Sequence, residues 1–412
     1  MYQGNYGDVA EFEDFVVYFA HTYDNCAPQN KEQIIEIYDK LRQLYPGYTL
    51  KAATLNDIAE RICEMDNIPV IEKEIGDAWI HGIGTDPEKL SRYRNVLRTI
   101  EGMDLSRIDL SDNALLIPEH TWGMDIKTHF KDELHWTHSE MEQVENERSI
   151  VEKSWREQRN YIIKAEEVLG IRPEFPIEKP NLNEYNFCDN LSDVNFEISW
   201  QLFSNEDYKR YEKEYLKLTD RNRYWALWDN TKIGLPHYEG KILTAKVKET
   251  YKKDQEKLYL MAFDNEETEK YGLPYFFVSV NDQEICIKWF DKKNSRLPQA
   301  FWFKLNGLEE KWEISKLGQW IDPNDIIGSP LICAVDKGVR NDECLIEPID
   351  SCLVAPFGRN LLRYNLQKQK QDLYFNLYNN IWNTNFPMWY SDDSIFRFKI
   401  HKRFYRDASS KC

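Results

Sequence analysis

Phe15-Val-Val-Tyr-Phe-Ala-His-Thr-Tyr-Asp-Asn25 places an apolar run of strand length directly before a polar turn. In β/α folds the loops at the carboxyl ends of strands form the site, so polar residues in such a turn are candidates for chemistry. Outward from this run, residues 31–45 read as a helix with Ile34, Tyr38, Leu41 and Tyr45 on one stripe, stopped by Pro46-Gly47. Residues 48–53 read as a second strand. Thr54-Leu-Asn-Asp57 has the form of a capping box, opening a helix with Leu55, Ile58, Ile62 and Met65 inward. Pro69-Val-Ile71 starts a third extended piece that leads into Glu74-Ile-Gly-Asp-Ala-Trp-Ile-His-Gly82. This β-α-β-α-β order predicts parallel strands with right-handed crossovers. About three such units are too few to close a barrel. Either the sheet is small and open, or the chain begins in the middle of a larger fold.

Beyond residue 105 the character changes. Residues 129–169 are charged and almost free of Gly and Pro, with Leu134, Met141, Val144, Val151, Trp155, Ile162 and Leu169 spaced as an inward face and Gly170 as a stop. That spacing drifts off a strict heptad, which predicts a helical bundle rather than a two-stranded coiled coil. Three prolines between Ile171 and Pro180 mark a linker. Past it, strands dominate. Ile285, Ile287 and Trp289 alternate with Cys286 and Lys288, and Phe301-Trp-Phe-Lys-Leu305 and Leu373-Tyr-Phe-Asn-Leu377 are short apolar runs between turn residues. The expected architecture is multidomain α/β plus β. Residues 1–105 form the C-terminal part of a β/α barrel, 106–175 a helical bundle, and 176–412 a large antiparallel β-sandwich.

Charge and composition narrow the partners. The net charge is −17 with no long basic run, and a nucleic-acid binder needs a basic face to displace counterions from phosphates. Nucleic acid and anionic membranes are therefore excluded as expected partners, and a neutral ligand is the default. No run of eighteen apolar residues offers a membrane span. The segment before Phe15 is acidic, the wrong chemistry for a signal peptide, and the 8 cysteines include no Cys-x-x-Cys pair. A cytoplasmic chain with reduced thiols is expected.

Four constellations carry candidate chemistry. In the first, Tyr23, Asp24 and Asn25 end the opening strand. Asp24 is a candidate general acid if burial raises its pKa, although a turn cap before Pro28 accounts for the same spacing. In the second, Gly76-Asp-Ala-Trp-Ile-His-Gly-Ile-Gly-Thr-Asp-Pro87, the glycines around Asp77, Trp79 and His81 suggest backbone held close to a ligand. It lacks the Gly-Lys-Ser/Thr ending of a phosphate loop, and Thr85-Asp-Pro87 suits a helix cap and first turn. An ordinary glycine-rich turn around a packed Trp is the competing account. The third, Glu119-His-Thr-Trp-Gly-Met-Asp125, offers His120, Trp122 and Asp125, with His120 as a metal-ligand candidate. Asp132, His135 and His138 are metal-compatible if they share a helix face, and solvated helix histidines otherwise. The fourth, Asn379-Asn-Ile-Trp-Asn-Thr-Asn-Phe-Pro-Met-Trp389, interleaves amides and indoles, as sites do that hydrogen-bond hydroxyls while stacking a ring. Buried turn amides supporting a sandwich explain it equally well.

Taken in order, these segments resemble the family-38 glycoside hydrolases of the α-mannosidase type, and more closely a bacterial and fungal branch of that group catalogued as a domain of unknown function. The likeness rests on the Asp-Asn turn, the helix ending near Tyr45-Pro-Gly47, Gly76-Asp-Ala-Trp-Ile-His-Gly82, a helix bundle opened by a His-containing turn, Leu353-Val-Ala-Pro-Phe-Gly358, and Asn383-Thr-Asn-Phe-Pro-Met-Trp389. It implies a zinc-dependent retaining hydrolase acting on O-glycosyl bonds of a carbohydrate. By position Asp24 would be the acid/base, His120 a zinc ligand, and Tyr23, Asn25, Asp77, Trp79, His81, Trp122 and Asp125 substrate-binding. The family's early His-x-Asp pair and its nucleophilic Asp have no counterpart ahead of Asp24, and a retaining mechanism needs both carboxylates roughly 5 Å apart. The resemblance therefore implies a C-terminal portion, completed by an upstream polypeptide, or else a non-catalytic carbohydrate-binding or scaffold relative.

Overall fold

A computed structural model describes residues 7–20, 27–66, 68–76, 79–104, 106, 109–119, 121–188, 194–216, 218–219, 223–306, 311–328, 333–364 and 372–402. The chain divides into two compact units, Met1–Glu72 and Lys73–Cys412. Helices and large antiparallel sheets together make the expected mixed α/β and β-sandwich fold.

The first unit departs from the expected parallel order. Strand Val16–Ala20 pairs antiparallel with Gly7–Glu11, in register Gly7↔Ala20 to Glu11↔Val16, and Phe12 stacks on Phe15 at 4.5 Å across the turn. Neighbouring strands can close with a tight turn, whereas a parallel pair needs a crossover of a dozen residues or more. Residues 48–53 and 69–71 are not in strands. Helix Lys31–Leu44 buries Ile37 and Leu41 and leaves Ile34 exposed, a stripe rotated from the expected one. Helix Leu55–Cys63 opens with the expected reciprocal cap between Thr54 and Asp57.

In the second unit, Ile75–Gly76 does pair in parallel, but with Ile327–Gly328 far along the chain. Glu74 anchors this contact by accepting the Ile327 amide at 2.8 Å and pairing with Lys316.

The sandwich faces a ten-stranded sheet against a six-stranded one. Alternation along the strands decides what each face buries. In Gln299–Leu305, Phe301 and Phe303 point between the sheets while Ala300 and Trp302 point to the helices. A strand buried on both faces needs apolar residues at every position, which is why this segment reads as a continuous run. Between the sheets, Phe303 packs on Phe398 at 4.4 Å and Trp289 on Phe301 at 5.2 Å. Ile285, Ile287 and Trp289 all face this core, as their alternation requires.

Helices cover the outer face of the six-stranded sheet. The expected long helix over 129–169 is broken. Ile126–His129 ends before Lys131, which has φ 52°; Thr137 caps a short turn at His138–Met141; and Glu145–Leu169 then runs to Gly170 at φ 64°. Leu134 falls in the break and is exposed, while Val151, Trp155 and Ile162 are buried. Helix Pro87–Ile100 packs beside Glu145–Leu169 around Val96, Ile117, Ile162 and Ala165. Arg92 forks onto Glu166 at 2.9 and 2.6 Å, and Arg159 reaches Asp86 at 3.0 Å and Glu88 at 2.7 Å.

Candidate functional site

The glycine-rich segment folds as a 3₁₀ turn, Trp79–Thr85, laid against strand Tyr374–Asn379. Its glycines are dictated by contact. A Cβ on Gly82 would sit 2.1 Å from the Phe386 ring, and one on Gly84 would sit 2.6 Å from Nδ2 of Asn379. That amide donates to the His81 carbonyl at 2.9 Å and to Oδ1 of Asn376 at 2.9 Å. Thr85 closes the turn by donating to the Gly82 carbonyl at 2.7 Å. Asp86 then caps the following helix, accepting from the Lys89 amide at 3.0 Å with Pro87 in the first turn, as the Thr-Asp-Pro spacing predicts.

Three of the four constellations meet here. Trp79 lies edge-on to Trp382, with ring centroids 4.7 Å apart, and to Phe386 at 6.0 Å. Trp122 meets Phe386 at 5.6 Å, and its amide donates to the Asn385 carbonyl at 2.6 Å. Trp79 is 40% exposed while Trp122, Trp382 and Phe386 are buried. One indole face thus stands at the surface on a fixed aromatic base. Edge-to-face pairs of this kind are each worth about 0.5–1.5 kcal/mol beyond their buried area.

Beside the aromatics lies a polar ridge. Asp125 caps Ile126–His129, accepting from the Thr128 hydroxyl at 2.8 Å. The Lys127 ammonium pairs with Asp229 and donates to the Thr384 hydroxyl at 3.1 Å. Asp229 also accepts the Asn383 amide through its carbonyl at 3.0 Å. Lys127 and Asp229 carry no local pattern in the sequence, because they join through a contact spanning 102 residues.

His81 and Trp122 are placed as supports. His81 touches no solvent, and neither ring nitrogen finds a partner among the described residues. Burial lowers its pKa to about 3, so the imidazole is neutral. Lys89 is equally enclosed, its ammonium 4.0 Å over the Trp122 ring, and burial lowers its pKa to about 8. Tyr23, Asp24, Asn25, Asp77 and His120 lie outside the described residues, as does any convergence of Asp24 with His120.

The zinc implied by the resemblance has no donor set among the described residues, where no group of three His, Cys, Asp or Glu side chains is arranged to hold a metal. The alternative trio is engaged otherwise. Asp132 pairs with Nδ1 of His135 at 2.6 Å and with Arg296 at 3.0 Å, while Nε2 of His138 bonds to the Glu269 carbonyl at 2.6 Å. No described helix is long and apolar enough to cross a membrane.

No curated protein matches the chain. Residues 83–175, from within the 3₁₀ turn through the helices to the proline-rich crossing, match a family described as a domain of unknown function (DUF5054).

Proposed function

We propose that this chain is a carbohydrate-directed protein of the glycoside hydrolase kind, in which the Trp79 surface takes the flat face of a sugar ring. The observation that carries the reading is the half-open Trp79 indole, held rigid by buried Trp382 and Phe386. A sugar offers an apolar C–H face to such a ring and hydroxyls at its edge. Asp125, Asp229 and Lys127, each partly exposed, supply acceptors and a donor for those hydroxyls. A rigid platform suits a weakly held ligand because little side-chain freedom is lost on binding.

In its hydrolytic form the reading assigns acid/base work to Asp24 by resemblance. No step is assigned to zinc. A second reading, a binding or scaffold relative without catalysis, is favoured by the engaged state of His135 and His138 and by His81 being sealed and neutral.

Calorimetric titration with methyl α-mannoside and α-1,6-mannobiose tests the proposal. Saturable binding weakened at least tenfold by Trp79→Ala, about 1.4 kcal/mol, is the expected result. Absence of binding, or binding indifferent to Trp79→Ala, overturns it. Hydrolysis of aryl α-mannosides that is lost on chelation and in Asp24→Asn selects the hydrolase. Metal-independent binding without turnover selects the second reading.

A further inference from the structure

We infer a second ligand site, separate from the Trp79 surface: the cleft of about 740 Å³ between helix Glu145–Leu169, the 171–177 crossing and the 391–393 loop receives a small uncharged polyhydroxylated molecule. Its volume falls within the roughly 300–1,000 Å³ usual for small-molecule sites. It shares no lining residue with the Trp79 surface.

Charge selects the ligand class. The wall carries three guanidiniums, Arg92, Arg156 and Arg159, among five carboxylates. Arg92 and Arg159 are already matched, to Glu88 and Glu166 and to Asp86, Glu88 and Asp392 respectively. Arg156 is more than half exposed and comes no nearer than 3.8 Å to Glu152, beyond hydrogen-bonding distance. Among the described residues Glu167 makes no ion pair and Asp393 accepts only the Asp291 amide, at 3.2 Å. The open groups are therefore one donor fork and two acceptors, and Ser391 lines the same wall.

An anion entering here meets more carboxylates than guanidiniums, and a cation meets the guanidiniums along the same wall. A molecule whose hydroxyls both donate and accept satisfies both sets without a net charge to desolvate. The remaining wall is apolar, with Ile163 40% exposed beside Ile171 and Phe175. It offers contact to the C–H face of a ring.

The cleft is also built in advance of binding. The ion pairs of Arg92 and Arg159 lock its helices, and the Asp392 carbonyl accepts Nε1 of Trp289 at 3.0 Å, fixing the loop that forms its rim. Preorganisation of this kind removes an ordering cost from binding.

The test is calorimetry on the full chain in a Trp79→Ala background, which silences the first surface. The neutral probes are maltose, cellobiose, α-1,6-mannobiose and myo-inositol, with spermidine and citrate as charged controls. The expected result is one equivalent of a neutral probe bound to Trp79→Ala, weakened at least tenfold by adding Ile163→Trp, which fills the cleft from an exposed position, and several-fold by adding Arg156→Ala. Far-ultraviolet circular dichroism checks that each variant is folded. Loss of all neutral-probe binding in Trp79→Ala alone overturns the cleft and leaves the first surface standing. Preferential binding of spermidine or citrate overturns it as well. Loss of all binding in Ile163→Trp with Trp79 intact, while Trp79→Ala alone still binds, supports the cleft while sinking the first surface.

Discussion

The side-chain amide of Asn379 donates to the His81 carbonyl at 2.9 Å, so a sandwich strand holds the turn that carries the exposed Trp79 indole. The same amide bonds Oδ1 of Asn376, and both residues are buried. Leucine at 379 keeps the branched shape and removes the donor, leaving two buried oxygens without this partner. An unsatisfied buried group costs about 1–3 kcal/mol. Asn379→Leu is expected to lower the unfolding free energy by that order, read as a lower urea midpoint, and also to weaken sugar binding, although residue 379 is too deep to touch a ligand. Unchanged affinity alongside lowered stability would mean that the turn does not position Trp79.

Gly82 and Phe386 form a lock of a different kind, because the ring occupies the space a methyl group would need. Gly82→Ala forces overpacking, for which about 1–3 kcal/mol is typical. Phe386→Ala opens a cavity and costs about 3–5 kcal/mol. Combined, the two are expected to be clearly less destabilising than the sum, since the new methyl enters the space the ring has left. Urea unfolding of the four proteins in the cycle measures this coupling, and strict additivity would contradict the contact.

These two contacts show how far the sequence could be read. The glycines of the 79–85 turn and the amides of 379–389 are visible as signals of close approach, but nothing in either stretch says that each is the other's partner. The sandwich strands were legible because alternation at Ile285, Ile287 and Trp289 is local, and so was the Thr54–Asp57 cap. The antiparallel pairing of Val16–Ala20 with Gly7–Glu11, in place of the expected parallel order, was not. An apolar run such as Val16–Ala20 has the same composition whether its neighbour is a local hairpin strand or a distant parallel one. The broken helix near Lys131 was missed because its charged, glycine-free sequence carries no stop. The break is imposed by Asp132, which binds His135 and Arg296.

Arg159 joins two helices through Asp86 and through Glu88, which it shares with Arg92. It holds Asp86, which is almost fully buried, and Glu88. Removing one member of such a network costs about 3–5 kcal/mol, because the remaining carboxylate is left uncompensated. Arg159→Ala is therefore expected to lower the unfolding free energy by that order at neutral pH. Adding Asp86→Asn, which keeps the cap oxygen and removes the charge, is expected to recover part of the loss. A double variant no more stable than Arg159→Ala would show that packing, not charge, is what Arg159 contributes.

His81 gives the second unit a built-in acid sensitivity whose sign follows from its burial. Its folded pKa is about 3, below the ordinary 6.5, because nothing in its surroundings compensates the charged ring for lost water. Between those values the unfolded chain binds a proton that the folded chain does not. Stability therefore rises with pH across that window, and the contribution is lost as pH falls through it. Above about pH 7 both states are neutral and the residue adds no slope. The limiting slope from one proton is about 1.4 kcal/mol per pH unit. His81→Leu removes the titrating group with a side chain that fits an apolar enclosure. The difference in unfolding free energy between the native chain and this variant should stay constant near about pH 7.5 and shift in the variant's favour by about 1.4 kcal/mol per unit between about pH 6 and 4. Comparing the two proteins cancels the carboxylates that both share. Parallel stability curves down to about pH 4 would mean that the imidazole is protonated in the folded state, and so that water or a counter-charge reaches it.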